Sequence, residues 1–300
     1  MSEQSLRHGW SVWLWAGLAA LGIGGVVTTG PLIVADPADP TSAAVTTQAL
    51  PRGEFPLAAG SWDLVLSEDF SAGVLDQETW STCHWWNDAG CTIATNEELE
   101  WYLPDNVAVS DGVLTLSAVR EATVGVDGRT YPFSSGMVST GPASYKGPAG
   151  FAFTYGYVEA RARVPWGKGL APAFWLLPAD STAKPEIDIM EVLGDDPTRL
   201  YVHVHTIDAS GAVKSQGADS IGPDLTADWH VYGLWWTKDG IAWYLDDAEV
   251  WRYSGAGIPS EPMYLVANLA VGGKWPGTPD PATVFPATYE IDFIRIWQEQ

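Results

Sequence analysis

Three carboxylates stand close together in the stretch Glu186-Ile187-Asp188-Ile189-Met190-Glu191. Side chains two positions apart share a face of a β-strand, so Glu186 and Asp188 look one way while Ile187 and Ile189 look toward a core. A regular strand would drive Glu191 into that core at a large desolvation cost. A bulge near Ile189-Met190 adds one residue and returns Glu191 to the acidic face, and bulges gather beside active sites. The backbones of the two glutamates would then stand roughly 13 Å apart, at about 3.3 Å per residue. Side chains leaning inward can close this to about 5.5 Å, the separation at which one carboxylate attacks an anomeric carbon while the other protonates the leaving oxygen. Crowding of like charges raises at least one pKa, which suits the proton donor. Asp188, between them, is placed to hydrogen-bond the attacking group.

The surrounding residues extend this chemistry. Tyr201, His203 and His205 share one face of the next apolar stretch, where a histidine can hydrogen-bond the carboxylates or a sugar. A zinc ion on His203, His205 and Glu191 is the competing use, and it leaves Glu186 and Asp188 without roles. Trp175, Trp275, Trp101 and the Trp85-Trp86 pair offer flat faces for pyranose rings, with core packing as the other use of each. In Gly156–Pro165, Tyr157, Glu159, Arg161 and Arg163 alternate with Val158, Ala160, Ala162 and Val164. That strand reads either as the floor of a polar groove or as an exposed ladder of ion pairs. Motifs for a serine hydrolase elbow, a zinc protease helix, a phosphate-cradling loop or a dinucleotide fold do not occur.

The elements that must hold these residues are short. The 300-residue chain carries 31 Gly and 21 Pro, which argues against long helices over most of its length. From Ser61 to Gln300 apolar runs alternate with Gly, Pro, Asp and Asn. Strands are expected at Trp62–Leu66, Val113–Val119, Tyr157–Val164, Ala173–Leu177, Glu186–Val192, Tyr201–Thr206, His230–Trp236, Ile241–Leu245, Met263–Leu269 and Ile291–Trp297. This pattern predicts one all-β sandwich or barrel.

Charge and composition narrow the partners. With 37 acidic against 15 basic residues the net charge is -22, so nucleic acid is excluded as a partner and an anionic polysaccharide is disfavoured. The 17 Trp separate the chain from disordered acidic proteins. No charged residue occurs from Gly9 to Ala35, so residues 1–35 read as a signal peptide or an amino-terminal membrane anchor. Residues 36–60, rich in Pro, Ala and Thr, read as a flexible linker. Export puts the remainder outside the cell, secreted or anchored at the outer face of the membrane. In that compartment Cys83 and Cys91 are expected to form a disulfide, with a zinc site that adds His84 as the rival. Nothing calls for a stable oligomer, and a monomer is expected.

The stretch Glu186-Ile-Asp-Ile-Met-Glu191 resembles the catalytic signature of glycoside hydrolase family sixteen in its laminarinase-like, bulged form. The resemblance extends through Asn96-Glu-Glu-Leu-Glu-Trp-Tyr102, Ser135-Gly136-Met137, Tyr155-Gly-Tyr-Val-Glu-Ala-Arg161, Gly169-Leu-Ala-Pro-Ala-Phe-Trp175, Asn268-Leu-Ala-Val-Gly-Gly-Lys-Trp-Pro-Gly277 and Ile291-Asp-Phe-Ile-Arg-Ile-Trp297. It implies a β-jelly-roll sandwich of two curved antiparallel sheets with an open substrate cleft. It also implies retaining endo-hydrolysis of β-1,3 or mixed β-1,3/1,4 glucan. By position Glu186 is then the nucleophile, Asp188 its helper, Glu191 the acid/base, and His205 the histidine that follows the catalytic strand. Trp175, Arg161 and Asn96 would bind sugar units, with Trp275 near the same end of the cleft, while Glu159, Trp101 and His203 are further candidates. Asp292 and Gly112 resemble positions around a structural calcium ion. Two departures stand beside the signature: Lys184-Pro185 precedes Glu186 where glycine is usual, and His203 stands where a small residue is common. A cell-surface transglycosylase, a relative acting on another polysaccharide and a non-catalytic carbohydrate-binding domain are the alternatives.

Overall fold

The computed structural model describes residues 56–58, 60–85, 90–180, 182–208 and 210–300. The expected export segment, all but the end of the linker, and Trp86 lie outside the described residues. Among the described residues no helix is long and apolar enough to cross a membrane, and helical structure is confined to short 3-10 turns such as Ala94–Asn96 and Pro104–Asn106.

Two large antiparallel sheets form a sandwich consistent with a jelly roll. Among the described residues the first has eight strands. Seven run in the order Ala248–Tyr253, Ile241–Leu245, His230–Trp236, Gly156–Arg163, Ala287–Glu299, Val113–Ala118 and Val107–Ser110. Trp62–Glu68 also pairs with Ala287–Glu299. The second sheet has six: Val213–Ile221, Arg199–Ile207, Glu186–Glu191, Leu170–Pro178, Met263–Val271 and Met137–Ser139.

Alternation explains the packing. Val158, Ala160 and Ala162 of the first sheet and Phe174, Leu176, Ile187, Val202, Val204 and Leu265 of the second meet in one buried core. The opposite face of each strand is left to polar residues or to aromatic rings. Among the longer strands, Val107–Ser110, Val213–Ile221 and Ala248–Tyr253 were not expected from the sequence, and each closes an edge of its sheet. An edge strand is solvated along one side and tolerates charge and glycine, so it lacks the apolar alternation that marks an inner strand. Val213–Ile221 reads Val-Lys-Ser-Gln-Gly-Ala-Asp-Ser-Ile and is largely exposed over its first half.

Cys83 and Cys91 are joined by a disulfide with Cα atoms 4.6 Å apart. The Tyr102 backbone N–H donates to the Cys91 carbonyl at 2.8 Å, tying this loop to the short strand Glu100–Tyr102. Burial holds the His84 imidazole far below its ordinary pKa, at about 3, with its ring 5.4 Å from Tyr102 and 5.9 Å from Trp175.

Candidate active site

The strand Glu186–Glu191 lies in the middle of the six-stranded sheet, and its register breaks where the acidic face would otherwise be lost. Glu186 faces His205, Ile187 faces Val204 and Asp188 faces His203, and the next pair is Glu191 with Tyr201. Three steps on one strand match two on its neighbour, so the strand carries one extra residue. The other neighbour registers the same step: Trp175 faces Asp188 and Phe174 faces Met190. Ile187, Ile189 and Met190 all enter the core, and Glu191 emerges half-buried on the face of Glu186 and Asp188. Trp243 Nε1, from the opposite sheet, donates to the Asp188 backbone carbonyl at 2.8 Å and satisfies a group at the start of the irregular step.

The histidines divide the acids between them. His205 Nε2 lies 3.1 Å from Asp188 Oδ2 and 3.6 Å from Glu186 Oε1, while its Nδ1 is 2.6 Å from Ser215 Oγ. His203 Nδ1 lies 2.8 Å from Glu191 Oε2, and the two rings stack at 5.7 Å. Burial and then the Asp188 charge push the Glu186 carboxyl above its usual pKa, against the pull of Lys184 and His205. Burial disfavours charge on His205, but Asp188 and Glu186 outweigh it and raise the imidazole pKa. Lys184 Nζ is 2.7 Å from Glu186 Oε1.

Glu186, Asp188 and His205, and likewise Asp188, Glu191 and His203, bring ligand-type atoms within 4.8 Å of one another. A metal centre and a carboxylate–imidazole acid–base array share such convergence.

A groove of about 430 Å³ runs over these acids, lined among others by Asn96, Glu98, Trp175, Lys184 and Trp275. Trp175 is mostly buried, and its Nε1 donates to Asn268 Oδ1 at 2.7 Å. Asn268 Nδ2 in turn donates to the Tyr102 hydroxyl at 2.9 Å. The Trp275 ring meets Tyr201 edge-on at 5.0 Å, on the Glu191 side of the array. Asn96 is exposed, and its amide donates to Glu98 Oε1 at 3.1 Å. Glu98, Asn268 and Lys274 were not singled out by the sequence reading, and Lys184 was noted there only as a departure from the usual glycine. A signal was present for two of them: Lys184 precedes Glu186 by two positions, and Glu98 and Glu100 alternate within a stretch that already resembled the family.

Other expectations are corrected. Glu159 and Arg161 do not reach the groove, because Gly156–Arg163 belongs to the eight-stranded sheet and its polar side faces away from the core. Arg161 Nη1 lies 2.7 Å from Asp292 Oδ2, Arg163 pairs with Glu290, and Arg295 Nη1 lies 3.6 Å from Glu159 Oε1. The strand is the ladder of ion pairs and not a groove floor. Trp101 is buried against Tyr131, with ring centroids 5.3 Å apart, and offers no face to a ligand in the groove. With Asp292 held by Arg161, the carboxylate expected to ligate calcium already has a cation partner. Gly112 can offer a cation only its backbone carbonyl. A larger hollow of about 670 Å³ opens on the eight-stranded sheet between Trp62, Tyr155, Trp235 and Arg252, remote from the acidic array.

The family model described as Glycosyl hydrolases family 16 matches residues 96–295. The Endo-1,3-1,4-beta-glycanase EglC of Rhizobium meliloti (strain 1021) is 34% identical over 246 residues, which cover 77% of this chain and 50% of that one. The chain thus spans about half the length of this relative. A Beta-glucanase of Rhodothermus marinus is 34% identical over 265 residues, covering 80% of this chain and 86% of that one. Among solved structures, the laminarinase catalytic domain from Thermotoga maritima MSB8 aligns with a TM-score of 0.70 and 32% identity, covering 80% of this chain and 99% of that one.

Proposed function

The chain belongs to glycosyl hydrolases family 16, and from that premise we propose that it is a retaining, endo-acting glycoside hydrolase of β-1,3 or mixed β-1,3/1,4 glucan. The observation that carries this reading is the bulge that returns Glu191 to the face of Glu186 and Asp188, over a groove with Trp175 and Trp275 in its walls. A purely sugar-binding surface has no use for three carboxylates and two histidines in one array. In the first step the Glu186 carboxylate attacks the anomeric carbon, the glycosidic C–O bond breaks, and Glu191 gives its proton to the departing oxygen. Asp188 and His205 orient Glu186. In the second step Glu191 takes a proton from water, the hydroxide oxygen bonds to the anomeric carbon, and Glu186 leaves as a carboxylate with net retention. A neutral glucan suits a protein of net charge -22 better than a sulfated chain does. Export is part of the proposal, and the Cys83–Cys91 disulfide supports it because oxidising compartments favour such bonds.

NMR of the first-formed product anomer, with laminarin, mixed-linkage β-glucan, agarose and carrageenan as candidate substrates, tests the reading. Retention on a β-glucan is expected, and initial inversion would rule the mechanism out. Glu186→Ala and Glu191→Ala are each expected to lower turnover by at least about 10²-fold, the low end of acid–base contributions, while the melting curve stays close to that of the parent. Near-normal turnover in either variant would defeat the assignment. Transfer to a labelled acceptor in place of reducing-end release would identify a transglycosylase.

A further inference from the structure

Burial and the Asp188 charge oppose the ionisation of Glu186, while His205 and Lys184 favour it. Glu186 is half-buried, and Asp188 lies on the same face of the same strand. His205 approaches both carboxylates from the neighbouring strand, with its Nε2 nearer to Asp188 than to Glu186. From Met263–Val271 the buried Tyr264 phenol faces the Glu186 charge, which helps to raise the phenol pKa. Besides the titratable His205, Glu186 has a cation that stays charged across the working pH range, Lys184. Lys184 Nζ reaches Glu186 Oε1 at 2.7 Å, and Lys184 is itself only partly exposed, so water screens the pair incompletely. The other lysine that lines the groove, Lys274, is directed to the Thr95 carbonyl at 3.0 Å and to Glu97 at 3.5 Å.

The lysine is also held in place. Thr182 Oγ1 donates to Asp180 Oδ1 at 2.7 Å and lies 3.0 Å from the Lys184 carbonyl oxygen, and the Thr182 N–H donates to the same Asp180 oxygen at 3.0 Å. A short polar turn therefore fixes the backbone that delivers the ammonium group to Glu186 at the strand entrance.

We propose that Lys184 is a positioning residue for the reaction: its ammonium group holds Glu186 ionised and fixes Oε1, so that the carboxylate meets bound sugar ready to attack. This rests on the reading of Glu186 as the nucleophile. A carboxylate in a half-buried site loses hydration, and an opposite charge within about 4–6 Å lowers its pKa by roughly 1–3 units. Lys184 supplies that charge from a side chain that need not touch the substrate.

The test is the pH profile of kcat/KM for the full chain, Lys184→Met, Lys184→Gln and Lys184→Arg, on the polysaccharide cleaved best. Loss of the cation is expected to move the acid limb upward by about 1–3 pH units in the Met and Gln variants, lowering kcat/KM on that limb by at least about tenfold. The alkaline limb should stay in place, and Lys184→Arg should return the acid limb toward that of the parent. An acid limb that does not move in a folded Met or Gln variant overturns the proposal, including the case where the whole profile drops uniformly, since that is the mark of a structural role alone. Azide rescue of Glu186→Ala and Glu191→Ala separates the two levels. An α-glycosyl azide from Glu186→Ala with an unmoved limb removes only the role of Lys184. An α-glycosyl azide from Glu191→Ala and none from Glu186→Ala removes the nucleophile reading, and the role of Lys184 falls with it.

Discussion

Trp243 Nε1 donates to the backbone carbonyl of Asp188 at 2.8 Å, across the core from one sheet to the other. The carbonyl belongs to the residue at which the register of Glu186–Glu191 begins to slip, and this donor comes from the opposite sheet. A side chain 55 positions away therefore supports the irregularity that brings Glu191 beside the other acids.

Trp243→Phe tests that support. Phenylalanine keeps most of the ring volume but removes the indole donor to a buried carbonyl, a loss of about 1–3 kcal/mol. We predict a drop of that order in urea-unfolding stability, together with a fall in kcat that exceeds any change in KM. A variant with parental stability and parental kcat would show that the hydrogen bond does not hold the bulge.

Glu100 makes a pH-dependent prediction. It is fully buried, and Val271 N–H donates to its Oε2 at 2.9 Å. Burial and then the charge of Glu98 hold its carboxyl well above the ordinary value of 4.5. As pH rises past that ordinary value the unfolded chain releases this proton while the folded chain keeps it, so stability declines toward alkaline pH. Glu100→Gln keeps an acceptor for Val271 and removes the titration. It is predicted to melt higher than the parent at pH 8, with the gap closing near pH 4. An equal gap at both pH values would refute the cause given.

His84 gives the opposite slope. Its folded pKa of about 3 lies below the ordinary 6.5, so the unfolded chain binds a proton that the folded chain refuses between those values. Stability is therefore greatest above 6.5 and falls as pH drops, by about 2 kcal/mol at pH 5. For a domain of this size that is a Tm decrease of about 4–8 °C. His84→Gln is predicted to flatten this part of the curve, and a variant whose Tm falls as steeply as the parent's between pH 6.5 and 5 would count against it.

Much of the site was legible because its signals are local. The period of two in Glu186–Glu191, with isoleucines filling the alternate positions, announced both the strand and the need for a bulge, since a buried unpaired Glu191 would be too costly. His203 and His205 followed from the same period one strand later. The same rule failed at Gly156–Arg163, where alternation separates a core face from a polar face and carries no record of which sheet the strand joins. Glu159 and Arg161 were therefore assigned to a groove from which their sheet excludes them. Trp101 misled for a similar reason, since a tryptophan used in packing and one used for sugar stacking look alike in sequence.

The sequence by itself determined an all-β chain, an acidic triplet with its histidines, and an acidic surface unsuited to nucleic acid, because strand period, residue type and net charge are written along the chain. Tertiary structure alone decided that Trp243 anchors Asp188, that Arg161 lies on the other sheet from the acids, and that Asp292 belongs to an ion pair. These outcomes depend on which strands become neighbours and which sheet faces the groove. Such pairings form between segments far apart in the chain, and no local pattern encodes them.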